Sequence, residues 1–164
     1  MTRKCPKCRA EAMHAERGPY RYDSGGLPHV VLLGIETGRC GECGAEVVSI
    51  PRIAQLHEAI ALVFATKPTR LAALEARFLR KYLGLSTDDL AARMGVARET
   101  ISRWESPRSA QPIGAPTERL LRLMAIRERP VAEYPTERLA EIRDEASEEI
   151  LRFEPGGGGW HAAA

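Results

Sequence analysis

The chain has 164 residues and a formal net charge of +2, and 44% of its residues are hydrophobic although only 5% are aromatic. This composition excludes wholesale disorder and predicts one domain or two small ones, with cores built mainly from aliphatic side chains. No apolar stretch is long enough to span a bilayer and the N-terminus has no apolar signal-peptide region, so we expect a cytoplasmic protein.

The charge is distributed unevenly along the chain. Residues 66–129 contain 13 basic and 7 acidic side chains, a net charge of +6, whereas residues 130–164 contain 3 basic and 8 acidic ones, a net charge of −5. A basic segment followed by an acidic one is typical of a nucleic-acid-binding module with an acidic appendage.

All four cysteines lie in the first 43 residues and form two C-x-x-C pairs. Each pair can form a tight turn in which two thiolates face one ion, and Gly44 allows the chain to leave the second turn in a left-handed conformation. Two such turns provide the tetrahedral sulfur site that structural zinc takes. We therefore predict one structural Zn2+ per chain, with the ligands Cys5, Cys8, Cys40 and Cys43.

Other interpretations of the cysteines are less favoured. Iron fits the same sulfur geometry and stays an alternative. A disulfide framework is disfavoured because nothing in the sequence indicates secretion, and a thioredoxin-like redox site would leave the second pair unexplained. With four protein ligands the ion has no open position for water, so the predicted role of the metal is structural rather than catalytic.

The segment between the cysteine pairs has the pattern of β-strands. Ser24-Gly25-Gly26 indicates a turn, and Val30–Ile35 is a run rich in β-branched residues. Together with a short closing strand at Val47–Ile50, these elements predict a small zinc-ribbon-like β domain over residues 1–50.

A helix is predicted next. From Pro51 onward, apolar residues recur at helical spacing, with proline in the first turn. Thr66-Lys67-Pro68 is expected to end this helix, so residues 51–67 are predicted to connect two domains.

Residues 79–106 have the pattern of two helices joined by a sharp turn. Ser86 is a natural N-cap for the first of them, and Gly95 is suited to the turn. The second helix has only two apolar anchors, Ile101 and Trp104, which leaves the rest of its surface to solvent or to a partner.

The outer face of this second helix is rich in arginine and suits insertion into the major groove of DNA. Arginine can bond bidentately to guanine and glutamate can accept from cytosine, while threonine in a helix N-terminal turn suits phosphate contacts. The predicted DNA-binding residues are Thr87, Arg98, Glu99, Thr100, Ser102, Arg103 and Arg108. Residues 68–130 are therefore predicted to form an all-α helix-turn-helix domain that binds double-stranded DNA.

The segment LGLSTDDLAARMGVARETISRWE, residues 83–105, resembles the Xre/Cro-type phage-repressor helix-turn-helix family. The resemblance implies a structural ion pair between Arg80 and Glu105. The positions at which that family reads bases are held here by Arg98, Glu99 and Arg103, and those that contact phosphates by Thr87 and Thr100.

The order of two C-x-x-C pairs, a connecting helix and this helix-turn-helix resembles the MqsA-type antitoxin family, with its YgiT-type zinc finger, over about residues 1–129. The resemblance implies a homodimer, formed through the helix-turn-helix domain, that binds a palindromic operator and represses its own operon. It also implies that the zinc domain binds a ribonuclease toxin. The present chain continues well past the usual end of that family.

Two more helices are predicted toward the C-terminus. Residues 117–129 have apolar side chains at helical spacing that suit a core or a dimer contact. An acidic helix is predicted over residues 131–154, with Leu139, Ile142 and Ala146 on one stripe. Residues 155–164 are predicted to be a flexible tail.

The sequence thus predicts an α+β protein of two domains, a small N-terminal zinc-ribbon β domain and an all-α Xre/Cro-type helix-turn-helix bundle with an extra C-terminal helix. The expected function is sequence-specific transcription regulation, as the antitoxin and autorepressor of a type II toxin–antitoxin operon. The alternative is a stand-alone regulator whose zinc domain mediates other interactions or sensing, and RNA binding by that domain is a weaker option. We do not expect an enzyme, because no nucleophile–base pair, phosphate loop or open metal site is recognisable.

Overall fold

The computed structural model describes residues 4–23, 26–109, 111–126, 143–146 and 149–163. The strands within these ranges are β1 (Met13–Arg21), β2 (Val30–Cys40), β3 (Glu46–Ser49), β4 (Thr69–Arg70), β5 (Arg143–Ala146), β6 (Leu151–Gly156) and β7 (Gly159–Ala163). The helices are α1 (Ile53–Thr66), α2 (Ala73–Tyr82), α3 (Thr87–Met94), α4 (Arg98–Trp104) and α5 (Ala115–Ile126). The chain divides into unit 1, which comprises Met1–Leu56 and Ile150–Ala164, and unit 2, which comprises His57–Glu149.

Unit 1 is a five-stranded mixed sheet in which β2 is the central strand. One edge of β2 pairs with β1 in antiparallel orientation along most of its length, from Cys40 opposite Met13 to Val31 opposite Arg21. The other edge is shared, because residues 36–39 pair with antiparallel β3 and residues 30–32 pair with parallel β6. Strand β7 then pairs with β6 and ends the sheet.

A β-bulge interrupts the pairing of β1 with β2. Gly18 lies opposite Ile35 and Tyr20 lies opposite Leu32, so two residues of β2 face one residue of β1. One of these two is Gly34, whose φ of +66° is a conformation that glycine adopts readily. The extra residue also shifts the alternation of inward side chains, because Leu32 and Ile35 are both buried although they are three positions apart.

The C-terminal segment differs from the sequence prediction. An acidic helix over 131–154 and a flexible tail over 155–164 were expected, but β5, β6 and β7 occupy 143–146, 151–156 and 159–163. The part of the predicted helix at 131–142 and 147–148 lies outside the described residues. Phe153 is fully buried between the exposed Arg152 and Glu154, and this alternation is the period of a strand.

The predicted fold class is therefore wrong. The protein is α+β, but its five-stranded sheet is large and its helical part is small, and unit 2 is not an all-α bundle. Strands β4 and β5 form a parallel pair within unit 2, with Thr69 opposite Arg143. The local pattern of the first 50 residues predicts a complete β domain, whereas their central strand also hydrogen bonds to residues 151–153.

A network of buried charges organises unit 2 around Glu118 on α5, which is 1% exposed. Its carboxylate accepts hydrogen bonds from Arg122 at 2.7 and 3.1 Å and from Arg70 at 2.6 Å, and it also accepts one from the backbone N–H of Leu71 at 2.9 Å. These bonds join α5 to β4 and to Leu71, the residue that follows β4.

Arg122 is completely buried and donates to main-chain carbonyls as well. Its guanidinium group reaches the carbonyl oxygens of Ala65 at 3.3 Å and Lys67 at 2.6 Å, and it also donates to that of Thr69. Carbonyls at the C-terminal end of a helix have no partner within the helix, so Arg122 supplies donors at the end of α1. The apolar pattern predicted α5 correctly but gave no sign that Arg122 and Glu118 would be among its buried residues.

No helix in the described part of the chain is both long enough and apolar enough to cross a membrane.

The substitution Glu118→Gln keeps the shape of the side chain and removes the negative charge between Arg70 and Arg122. Because two guanidinium groups then lack their buried carboxylate, we expect the free energy of unfolding to fall by about 3 kcal/mol or more. Urea unfolding followed by far-UV circular dichroism measures the change. Arg77→Ala, at an exposed position on α2, is the control and should change the value by less than about 0.5 kcal/mol. A loss of similar size in both variants would contradict the role of the network.

Candidate metal centre and nucleic-acid interface

The structure brings the four predicted ligands Cys5, Cys8, Cys40 and Cys43 together in unit 1. Their Sγ atoms all lie within 4.8 Å of one another, and the distances from Cys5 to Cys43 and from Cys8 to Cys40 are both 3.6 Å. All four cysteines are free. Among the histidine, cysteine and acidic side chains of the described residues, these four cysteines form the group whose ligand atoms are placed to hold a metal ion.

The spacing of the sulfur atoms fits a tetrahedral ion. A Zn–S distance of about 2.3 Å places two sulfur atoms of a regular tetrahedron about 3.8 Å apart, close to the two distances of 3.6 Å found here. A disulfide would require about 2.05 Å. The donor set of four thiols therefore matches a divalent ion that prefers sulfur. Both zinc and iron fit this spacing of the Sγ atoms.

Both C-x-x-C turns have the same backbone geometry. In the first, the N–H of Cys5 donates to the carbonyl oxygen of Ala10 at 2.8 Å and the N–H of Arg9 donates to that of Cys5 at 2.9 Å. The second turn, which starts at Cys40, repeats these two bonds at 2.9 and 3.0 Å. The residue after each pair is left-handed, with a φ of +63° at Arg9 and +67° at Gly44. The left-handed conformation predicted for Gly44 is confirmed, whereas that of Arg9 was not foreseen because the residue is not glycine.

The thiols influence one another strongly. A hydrogen bond from the backbone N–H of Cys8, with another from that of Lys7 at 3.4 Å, lowers the pKa of Cys5 to about 6. The backbone N–H of Ala10 lowers the pKa of Cys8. The Cys43 thiol, burial and the remaining thiols together outweigh this effect and raise the pKa of Cys8 to about 12. One thiolate therefore forms readily while its neighbour resists ionisation, as expected for four sulfur atoms that share one small volume. A divalent cation at their centre would allow all four to ionise.

The sheet holds the two turns together. Cys40 is the last residue of β2 and lies opposite Met13 of β1, and the N–H of Gly41 donates to the carbonyl oxygen of Ala12 at 2.9 Å. Cys5, Cys40 and Met13 form a buried cluster, so one thiol of each pair is shielded from water. The site thus depends on the antiparallel pairing of β1 with β2 as well as on the cysteine spacing.

Helices α3 and α4 form the predicted helix–turn–helix segment within unit 2. Ser86 caps α3, since its hydroxyl accepts from the N–H of Asp89 at 3.0 Å and the Asp89 carboxylate accepts from the N–H of Ser86 at 2.9 Å. Hydrogen bonds from the Ser86 side chain and backbone lower the pKa of Asp89. Gly95 ends α3 in the left-handed conformation with a φ of +65°. The cap and the turn predicted from the sequence are both confirmed.

Helix α4 buries Ile101 and Trp104, as predicted, and presents its remaining surface outward. The exposed residues of the predicted DNA-binding set are Arg98, Glu99, Ser102, Arg103 and Arg108. The half-buried ones are Thr87, in the first turn of α3, and Thr100, in α4. The assignment of these residues to DNA contacts stays a prediction.

An ion pair connects α2 to the end of α4. The guanidinium group of Arg80 donates to the Glu105 carboxylate at 2.6 and 2.8 Å and to the carbonyl oxygen of Leu85 at 2.8 Å. Both charged side chains are 9% exposed, and the bond to Glu105 raises the pKa of Arg80. The ion pair that the resemblance implied is present. It holds the C-terminal end of α4 on the side opposite to the exposed face of the helix.

One contact of the exposed face was not predicted. The guanidinium group of Arg98 lies 3.6 Å from the carboxylate of Asp88 on α3, with both side chains more than 60% exposed. Asp88 and Arg98 lie on either side of the turn at Gly95, and the sequence offered only their opposite charges as a signal.

Comparison of the chain with protein-family models, with curated proteins and with solved structures finds no match.

The two C-x-x-C turns provide a matched pair of substitutions. At Gly44 a Cβ atom would meet nothing within 4 Å, so Gly44→Ala tests the backbone conformation alone, and we expect it to lower the free energy of unfolding by about 1 kcal/mol. Arg9→Gly relieves the same strain in the first turn, so it should raise the free energy of unfolding by up to about 1 kcal/mol. Denaturant unfolding of the metal-loaded chain measures both. An equal loss in the two variants would show that left-handed geometry does not limit the turns.

Proposed function

We propose that the protein is a sequence-specific DNA-binding transcription regulator with a structural zinc ion in unit 1. The observation that supports DNA binding most directly is the outer face of α4. A capped helix, a left-handed glycine and a second helix with two buried anchors present Arg98 and Arg103 to solvent. This arrangement suits insertion of α4 into the major groove, where the two arginines would read guanine edges.

The charge of the chain supports the same proposal. The segment of residues 66–129, which contains α2 to α5, has a net charge of +6 although the whole chain has only +2. Phosphate contacts release condensed counterions, so a basic segment of this kind favours DNA association at low salt. Thr87, Thr100 and Arg108 are the residues proposed to contact phosphates, and Glu99 and Ser102 complete the base-reading face.

The metal is proposed to be zinc because four thiolates in a closed tetrahedral site match its preference and leave no position for a substrate or water. Its role is to join the two C-x-x-C turns. Iron would fit the same donors, and metal analysis of the purified chain separates the two: one zinc per chain is expected. Cys40→Ser should lose that zinc, and it should destabilise unit 1 more than unit 2. A purified chain with unit 1 folded and no metal bound would contradict this part of the proposal.

The biological setting is proposed to be a toxin–antitoxin operon. The support is the resemblance of residues 1–129 to MqsA-type antitoxins, in which the regulator is a homodimer on a palindromic operator and its zinc domain binds a ribonuclease toxin. A gene for a small basic ribonuclease beside this one, or co-purification of such a partner, would favour this setting.

A stand-alone regulator is the second candidate, and one observation favours it. Residues 151–163 form two strands of the sheet in unit 1, so this sheet is larger than the zinc finger that the resemblance implied. A zinc domain completed by the chain's own C-terminus suits sensing or another partner. Absence of a toxin partner in the native host would favour this candidate.

DNA binding is tested with Arg98→Ala and Arg103→Ala in the full chain. Each is expected to weaken binding to a duplex from the chain's own promoter region by about 1–3 kcal/mol and to relax base preference at one position. Fluorescence anisotropy at several salt concentrations measures affinity, and the wild-type affinity should fall steeply with salt. Arg152→Ala removes an exposed arginine from β6 in unit 1 and is the matched control. Full affinity in both α4 variants, or no salt dependence, would contradict the proposal.

A further inference from the structure

Unit 1 is built from the two ends of the chain. It comprises Met1–Leu56 and Ile150–Ala164, so residues 57–149 are inserted between its two parts. The four cysteines all belong to the first part, and β6 and β7 belong to the second. The four cysteines and the C-terminal hairpin, residues 150–163, are therefore far apart in sequence but belong to the same unit, and Cys40 lies in the strand that the hairpin pairs with.

The C-terminal hairpin is bound to the N-terminal half of β2. Leu151 and Phe153 lie opposite Val30 and Leu32 in parallel register, and the N–H of Leu151 donates to the carbonyl oxygen of His29 at 2.9 Å. Phe153 and Leu32 are both completely buried. Without the hairpin, this edge of β2 would lose its main-chain partners.

The hairpin also holds the turn that precedes α1. The indole N–H of Trp160, which is 7% exposed, donates to the carbonyl oxygen of Pro51 at 2.9 Å. In the opposite direction, the guanidinium group of Arg52 donates to the carbonyl oxygen of Gly156 at 2.7 Å. Arg52 has a φ of +50°, which a residue with a side chain rarely adopts, and these two bonds fix the turn in which it lies.

The cysteine cluster depends on the C-terminal end of β2, whereas the hairpin pairs with the N-terminal end of that strand. Cys40 ends β2, and its backbone N–H donates to the carbonyl oxygen of Ala45 within the second turn. Between Leu32 and Cys40 the strand pairs with β1 on both sides of the β-bulge at Leu33 and Gly34. Order in β2 is therefore a shared requirement of the cysteine cluster at one end and of the hairpin at the other.

We infer that metal binding and docking of the C-terminal hairpin are thermodynamically coupled through β2. The hairpin raises the metal affinity of a site whose ligands all come from the first 43 residues, and the metal in turn stabilises the docked hairpin. The inference rests on the metal site of the proposed function and adds a means of regulation to it. Loss of the metal therefore shifts the hairpin toward release from β2.

The coupling is tested in the full chain with Trp160→Ala, Trp160→Phe and Arg152→Ala, by competition for Zn2+ with a colorimetric chelator. Trp160→Ala should weaken zinc affinity by about 5- to 50-fold, within the usual range of coupling between two sites. Trp160→Phe keeps an aromatic ring and removes the donor to Pro51, so it should give a smaller loss in a chain whose sheet is intact. Arg152→Ala, at an exposed position on β6, should stay within twofold of the wild type.

The reciprocal effect is measured by hydrogen exchange of the wild-type chain with zinc bound and after its removal by a chelator. Amides of β6 and β7 should lose protection on removal, while amides of α2 and α5 in unit 2 should keep theirs. If zinc binds the wild type and all three variants equally, or if β6 stays protected without metal, the coupling is refuted and the zinc site stands. If the wild type binds no zinc, both the site and the coupling are refuted.

Discussion

The hydrogen bonding of β2 along both of its edges is the constraint on which unit 1 depends. The main-chain donors and acceptors of a central strand need partners, and β2 obtains them from β1 along one edge and from β6 at residues 30–32 and β3 at residues 36–39 along the other. The bulge at Gly34 lets the strand keep its apolar side chains inward on both sides of the irregularity. Because β2 ends at Cys40, the same pairing places the second C-x-x-C turn against the first. The proposed metal centre is thus an extension of the sheet and not a separate module.

Buried ion pairs have the corresponding role in unit 2. Glu118 and Arg122 join α5 to β4 and to the end of α1, and Arg80 with Glu105 joins α2 to the end of α4. A buried charge is expensive unless it is fully paired, so each of these side chains tolerates little displacement. The consequence for function lies at α4, which is short and has only two buried anchors. The Arg80–Glu105 pair fixes the C-terminal end of α4. The outer face of the helix then presents the arginines that are proposed to read DNA.

The parts of the candidate sites that the sequence predicted are those set by short-range chemistry. Ser86 caps α3 through Asp89, three residues away, and Gly44 and Gly95 adopt left-handed conformations that other residues adopt at a cost. The C-x-x-C spacing likewise brings two thiols together within one turn. The left-handed conformation of Arg9 could not be predicted, because the same turn geometry imposes it without the glycine that usually indicates it.

The sequence by itself determined the two C-x-x-C pairs that form the cysteine cluster, the α3–α4 turn and the basic charge of residues 66–129, since each depends on residue type and on neighbours within a few positions. Only the tertiary structure decided that the C-terminal segment forms strands of unit 1 and that Arg122 is buried. The bond from Trp160 to Pro51 spans 109 residues, and Arg122 reaches carbonyls more than 50 residues earlier. A polar residue or a short run with strand periodicity has no preferred partner until the fold brings an unpaired edge or a free carbonyl to it. For that reason the local pattern of residues 131–164 suggested a helix and a loose tail, whereas the open edge of β2 selected a hairpin.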